Sequence, residues 1–173
     1  MSELYQTEMG DFSACAAAYE AWVLKGESEG AVAAREAMEH LLTLYAAVLK
    51  LPAAGALLAE DDQVRNDLAL TQEEWEVAYR RMGKRLPFDM YSEVFDPLKV
   101  PAEEPVVGSV ADDLADIYRD LADGLRLYRA GRMGEALWAW RLNFEFHWGE
   151  HASGGIRALD VWLRRNEQSA YLG

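Results

Sequence analysis

Apolar residues recur at helical spacing along most of the chain. Near the N-terminus they predict a first helix from about Glu8 to Lys25, which Gly26 ends. A second helix begins near Ser28, keeps the helical period for several turns and is closed by Pro52. No segment shows the alternating, β-branched pattern of a strand or the Asn-Gly and Asp-Gly turns of a hairpin. The pattern therefore predicts an all-α fold.

Capping residues mark two further helices. Thr71 and Glu74 have the spacing of a capping box at the start of a third helix, and Ser109 caps a fourth. A fifth helix, about residues 134–151, follows after a turn so short that the fourth and fifth helices should be antiparallel neighbours. A sixth helix is expected over about residues 155–166, after a break at residues 152–154, because the glycines are interpreted as helix stops.

Prolines interrupt the helical pattern between the third and fourth helices. Residues 85–108 carry four of the five prolines, which excludes a long helix there. Aromatic residues are interleaved with these prolines, so the segment should pack across the bundle as an extended crossover. The predicted architecture is a single helical domain over residues 1–173. It is a helical bundle of four main helices plus one or two accessory helices and this Pro-rich crossover.

Charge and cysteine content narrow the classes of function. The chain has 30 acidic and 17 basic side chains, a net charge of -13, which repels phosphate backbones and excludes a nucleic-acid-binding role. The single cysteine, Cys15, favours a reducing compartment. No apolar run approaches the roughly 18 residues of a membrane span, and the N-terminus lacks a secretion-signal pattern. We expect a cytoplasmic, acidic protein that binds neither nucleic acid nor membrane, of undetermined oligomeric state.

The fourth helix carries a run of aspartates that resembles the paired-carboxylate motifs of Mg²⁺-binding helical enzymes. On a helical wheel Asp112, Asp116 and Asp123 point away from the leucine stripe of this helix. Asp113 and Asp120 lie near the edge of that stripe. Although carboxylates suit hard cations, this placement favours a solvated acidic face over a metal site.

The chain has three histidines, two of which lie one helical turn apart. His147, Glu150 and His151 fit the H-x-x-E-H pattern of inverted zinc peptidases, but the few carboxylates downstream make a third ligand hard to supply. His40 would complete a three-histidine site of the kind found in DinB-like bundles, yet the helical wheel places it on the solvent side. The simpler interpretation is a pair of partly buried imidazoles hydrogen-bonded to carboxylates or carbonyls.

A metal site remains an alternative because of the expected packing. Antiparallel neighbours bring the end of the fifth helix beside the start of the fourth. A divalent metal could then be held by His147 and His151 together with Asp113, Asp116 or Asp120. No other cofactor and no catalytic residue is predicted.

The absence of a complete catalytic set favours a non-catalytic protein-interaction or accessory domain. Its partner would be another protein, bound on an aromatic surface that includes Tyr91, Phe95, Trp140 and Trp148. The alternative is a metal-binding protein or metal-dependent hydrolase with its site between the fourth and fifth helices.

Three groups of residues carry a family resemblance: 91–97 (YSEVFDP), 107–120 (VGSVADDLADIYRD), and WAWR at 138–141 with HWGEHA at 147–152. Together they resemble the uncharacterised bacterial proteins of domain-of-unknown-function family 5063, over nearly the whole chain. The resemblance implies a helical domain with no assigned activity. The family pattern includes both histidines and the Trp-Gly between them but does not fix Glu150, which weakens the peptidase interpretation.

Overall fold

The computed structural model describes residues 3–53 and 67–172. The fold is predominantly α-helical, as the sequence predicts, and one two-stranded sheet is the only sheet in the described ranges. Within these ranges no helix combines the length and apolar character needed to cross a membrane. The cytoplasmic location and the single-domain organisation over 1–173 stay predictions.

Six α-helices and two strands succeed one another along the described chain. They are α1 (Glu3–Lys25), α2 (Gly30–Val48), α3 (Gln72–Arg85), β1 (Met90–Glu93), β2 (Val106–Ser109), α4 (Val110–Arg129), α5 (Met133–Asn143), a π-helical turn (Phe144–Trp148) and α6 (Gly149–Leu172). Both predicted caps are confirmed: the Thr71 side chain accepts a hydrogen bond from the Glu74 amide, and the Ser109 side chain accepts one from the Asp112 amide. Buried apolar residues of all six helices form one core cluster.

Helix α4 is covered on several sides, since it packs against α1, α3, α5 and α6. As a result the predicted solvated face of acidic residues is wrong. Asp113, Asp116, Asp120 and Asp123 are only 4–8% exposed. The helical wheel of α4 separates the leucines from the aspartates correctly. It cannot show that other helices cover the acidic side as well. Buried carboxylates need partners, and these partners define the candidate site described below.

The C-terminal part of the chain is helical without interruption, in contrast to the predicted break between residues 151 and 155. Phe144 and Gly149, at the two junctions, both keep right-handed helical backbone angles. The glycines taken as helix breakers serve close packing instead. A Cβ atom at Gly154 would lie 2.6 Å from the hydroxyl oxygen of Tyr91, and Gly155 is buried.

The Pro-rich crossover contains a short β-sheet that the sequence did not predict. Strands β1 and β2 pair in antiparallel register, with Tyr91 opposite Gly108, and form what we call the β-ribbon. Four-residue strands are too short for an alternating pattern to be visible in the sequence. The ribbon is anchored at the start of α4, because Asp89 accepts hydrogen bonds from the Ser109 hydroxyl (2.8 Å) and the Ala111 amide (3.0 Å).

Candidate metal centre

Three side chains converge where the end of the π-helical turn and the start of α6 lie against α4. Asp116, His147 and His151 each offer one ligand atom, and these atoms lie within 4.8 Å of one another. Oδ2 of Asp116 is 3.8 Å from Nε2 of His147 and 3.5 Å from Nε2 of His151. Ligands about 2.1 Å from a tetrahedral ion are about 3.4 Å apart, so the separations from Asp116 come close to those of a metal site.

Each imidazole is oriented by a carboxylate of its own. Nδ1 of His147 lies 2.6 Å from Oδ2 of Asp120, and Nδ1 of His151 lies 2.8 Å from Oδ1 of Asp113. When Nδ1 carries the hydrogen and donates it to the carboxylate, Nε2 keeps its lone pair. Metal-binding histidines usually have this second contact, because it fixes the tautomer and the ring orientation. The structure therefore places Asp113, a predicted ligand, behind the imidazole of His151 rather than beside its Nε2.

The carboxylate of Asp116 is held in a similar way. Its Oδ1 accepts a hydrogen bond from Nε1 of Trp75 at 2.8 Å and one from Nη2 of Arg119 at 2.7 Å. These two donors leave Oδ2 turned towards the histidines. In this arrangement Asp116 can offer one oxygen to an ion.

The β-ribbon extends the hydrogen-bond network. The hydroxyl of Tyr91 donates to Oδ2 of Asp113 at 2.8 Å, so Asp113 has a partner on each of its oxygens. The charge of Glu93 also acts on Tyr91, whose pKa is raised by burial, by Asp113 and by Glu93. Because Gly154 lacks a side chain, the ribbon can approach α6 closely at this point. Hydrogen bonds through Tyr91 and Asp113 thus connect the ribbon to His151.

Negative charge accumulates around the two imidazoles. The hydrogen bond with Asp113 raises the pKa of His151 above its usual value. Burial raises the pKa of Asp120, and burial together with the charge of Asp113 raises the pKa of Glu93. Both shifts follow from the removal of the carboxylates from solvent, and for Glu93 also from a neighbouring negative charge. A bound cation would relieve this excess of negative charge.

Comparison with known proteins places the chain in a family. A profile described as "Domain of unknown function (DUF5063)" matches residues 3–163, which include every residue of the site. The chain belongs to the DUF5063 family. The fold of this DUF5063 protein is similar to the crystal structure of protein BF1032 from Bacteroides fragilis, with a TM-score of 0.70 and 22% sequence identity. The alignment covers 92% of this chain and 97% of that chain. A comparison with functionally curated proteins finds no match.

The third histidine of this DUF5063 protein lies elsewhere. His40 is half-buried against the rings of Tyr19 (5.8 Å between centroids) and Trp22 (5.3 Å) of α1, rather than on the solvent side as predicted. Burial lowers the pKa of its imidazole. Among the described residues, the cluster of potential metal ligands does not include His40. The three-histidine interpretation therefore has no support in the structure.

The predicted aromatic surface is only partly a surface. Trp140 and Trp148 are fully buried, and their rings lie 4.9 and 6.4 Å from that of Phe12 in the core, so the prediction that they contact a partner is wrong. Tyr91 is half-buried, with its hydroxyl bound to Asp113, whereas Phe95 is 65% exposed.

Three residues of the site were not predicted from the sequence. Trp75 reaches Asp116 from α3, and Glu93 reaches Tyr91 from within the ribbon. Neither contact has a signal in the sequence. Arg119 is three residues from Asp116, a helical spacing at which a side-chain pair can be anticipated.

Proposed function

We propose that this DUF5063 protein binds a divalent transition-metal ion through Nε2 of His147, Nε2 of His151 and Oδ2 of Asp116. The observation that supports this most strongly is the shared direction of the two imidazoles. Nδ1 of each imidazole is hydrogen-bonded to a different carboxylate, and Nε2 of each faces the same oxygen of Asp116. A purely structural histidine–aspartate pair needs only the first of these contacts.

The donor set indicates which ions are suitable. Two imidazole nitrogens and one carboxylate oxygen favour Zn²⁺, Fe²⁺ or related ions over Mg²⁺ and Ca²⁺, which prefer oxygen ligands. Three protein ligands leave at least one coordination position open, as in catalytic metal sites. His151 also borders an open cleft between the ribbon and α6. A water molecule activated at that position is the reactive group that a metal-dependent hydrolase would use.

The test is metal analysis of matched variants. The wild-type protein, a His147→Ala/His151→Ala double variant and a His40→Ala control are stripped with chelator and reloaded anaerobically with Zn²⁺, Fe²⁺ or Mn²⁺. We expect about one equivalent of metal in the wild-type and control proteins and none in the double variant, with folding checked by circular dichroism. Absence of bound metal in all three proteins, or equal binding by the double variant, would refute the proposal.

A second candidate function is protein interaction, and one observation supports it. Apolar side chains on and beside the β-ribbon are strongly exposed: Met90 (65%), Phe95 (65%), Leu98 (88%), Val100 (90%) and Val107 (75%). Grouped exposure of this kind is common at binding surfaces. The test is affinity capture from native cells with the wild-type chain and a Leu98→Glu/Val100→Glu variant. A partner that both proteins recover equally does not use this surface.

A further inference from the structure

Arg157, on α6, differs from the other arginines of the described chain. Each of the others forms a hydrogen bond, an ion pair or another electrostatic contact. Within the ranges that the structure describes, Arg157 forms none. The side chain of Arg157 is exposed, and in a chain with a net charge of -13 it contacts none of the described acidic groups. Its five N–H donors are therefore free for a ligand.

The side chain of Arg157 borders the cleft that also reaches the candidate metal site. The cleft lies between the β-ribbon and α6, has a volume of about 250 Å³, and is bordered by both His151 and Arg157. These two residues are six positions apart on one helix, which is about 9 Å along the helix axis. A single small molecule can therefore contact both ends.

We propose that this cleft binds a small organic molecule that carries a carboxylate or phosphate group, with Arg157 as its anion-binding residue. The other end of the molecule would lie at the metal held by His147, His151 and Asp116, so this inference rests on the proposed function. A planar guanidinium can donate two parallel hydrogen bonds to either anion, which makes carboxylate and phosphate the two chemistries to compare.

The remaining walls restrict the ligand further. Phe95 and Pro97 supply apolar surface opposite α6, whereas Glu93 and Glu150 add negative charge. Those carboxylates repel an anion, so its charged group is expected to bind at the guanidinium of Arg157 while the metal attracts the other end of the molecule. The cleft is also slightly smaller than the range of about 300–1,000 Å³ typical for drug-sized ligands. A compact ligand with one anionic group and a short apolar body fits these conditions.

The test uses calorimetric titration of the Zn²⁺-loaded protein with four anions: acetate, inorganic phosphate, benzoate and phenyl phosphate. Benzyl alcohol serves as the uncharged comparison. We expect at least one anion to bind, and Arg157→Gln to weaken its binding about ten- to hundredfold without changing the zinc stoichiometry. The matched control is Arg164→Gln, an exposed arginine of α6 that is already paired with Asp160. It should leave the anion affinity unchanged. Preference for phosphate or for carboxylate probes then identifies the ligand class.

Two results would overturn the inference: no binding of any of the four anions, or equal anion affinity in the wild-type and Arg157→Gln proteins. Failure of the proposed function is visible separately, as absence of zinc in the loaded protein. In that case the same titrations are made with the metal-free protein. Anion binding that depends on Arg157 would support the anion site, and absence of such binding would reject the anion site.

Discussion

At the residue scale, the aspartates of α4 differ in what their oxygens contact rather than in their chemistry. Asp113 and Asp120 meet the Nδ1 atoms of His151 and His147, while Asp116 turns one oxygen towards both Nε2 atoms. A carboxylate behind a metal-bound imidazole increases the basicity of the imidazole and holds the ring in place. Asp113 should therefore influence metal affinity without touching the ion.

Replacing Asp113 by Asn tests this role. Since the amide carries no charge and can present its NH₂ group to Nδ1, we expect zinc affinity to fall about ten- to hundredfold. The measurement is competition for Zn²⁺ against a chromophoric chelator. The control is Asp112→Asn, which removes the same charge at the neighbouring position. The side chain of Asp112 makes no hydrogen bond to either imidazole. Equal losses in both variants would mean that net charge, and not orientation of His151, sets the affinity.

The raised pKa of His151 predicts how the stability of the metal-free protein depends on pH. A histidine whose pKa is higher in the folded than in the unfolded state stabilises the fold below its unfolded pKa of about 6.5. That contribution is lost as pH rises through the higher, folded pKa. The hydrogen bond with Asp113 raises the pKa of His151. Burial lowers it, but by less.

We therefore expect the Tm difference between the wild-type protein and His151→Gln, both with EDTA, to be larger at pH 6 than at pH 9. Thermal unfolding followed by circular dichroism measures it. A difference that grows with pH would contradict the assignment. With zinc present the trend should reverse, because protons compete with the metal for Nε2.

The site residues were only partly predictable from the sequence, because the sequence does not show which helices pack around α4. The spacing of His147 and His151 and the run of aspartates on α4 were both recognised, as was their meeting between neighbouring helices. The sequence does not show that α3 and α6 cover the acidic side of α4, so Asp116 was assigned to solvent. Arg157 has no distinguishing pattern either, since its lack of a partner is a property of the folded chain.

At the scale of elements, the π-helical turn Phe144–Trp148 is the feature closest to the site. It lies inside a continuous helix and contains His147. π-Helical turns are rare and are often found at functional sites. His147 lies in this wider turn, and His151 follows four residues later on α6. The sequence contains no signal for it, because the hydrophobic period around this turn is compatible with an ordinary α-helix.

Deleting Phe146 tests the importance of the wide turn. This residue is 75% exposed, and its loss would allow the turn to close as an ordinary α-helix while α5 and α6 keep their packing. We expect the deletion variant to fold, as judged by circular dichroism, and to bind zinc at least tenfold more weakly because His147 is rotated. Phe146→Ala is the control, since it removes the same side chain but keeps the chain length. If both variants bind zinc as the wild-type protein does, the π-helical turn is unimportant for the site.

The ends of the helices show which structural features can be predicted from local sequence patterns. Thr71 and Ser109 act through hydrogen bonds within four residues, so their capping roles were predicted correctly. Gly154 acts through a contact with Tyr91, far away along the chain, and was misinterpreted as a helix stop. Local chemistry is visible in a sequence, whereas the same glycine serves as a break or as a close contact depending on the tertiary neighbours.

At the scale of the whole molecule, metal binding and stability should be linked. Residues of the site come from α4, the π-helical turn and α6, with support from α3 and the β-ribbon, so an ion bound there acts on most of the fold. The unfolded chain has no such arrangement of ligands. An ion that binds mainly to the folded state raises the free energy of unfolding by mass action.

We expect Zn²⁺ at about one hundred times its Kd to stabilise the protein by about 2.7 kcal/mol, which is a rise in Tm of about 5–10 °C for a chain of this length. Differential scanning fluorimetry of the stripped and loaded proteins measures the change. His147→Ala/His151→Ala should show no such rise, while His40→Ala should match the wild-type protein. An equal rise in the double variant would indicate zinc binding elsewhere on the acidic surface.

The hydrogen bond from Trp75 to Asp116 has a consequence for the order of events in a cell. It joins a residue of α3 to a site whose histidines lie more than seventy positions later, so no early part of the chain can assemble the site. The complete site would therefore form only after α3, α4 and α6 have packed together. On the proposed function, the folded protein would then acquire its metal, and a folded, metal-free form would accumulate when metal is scarce.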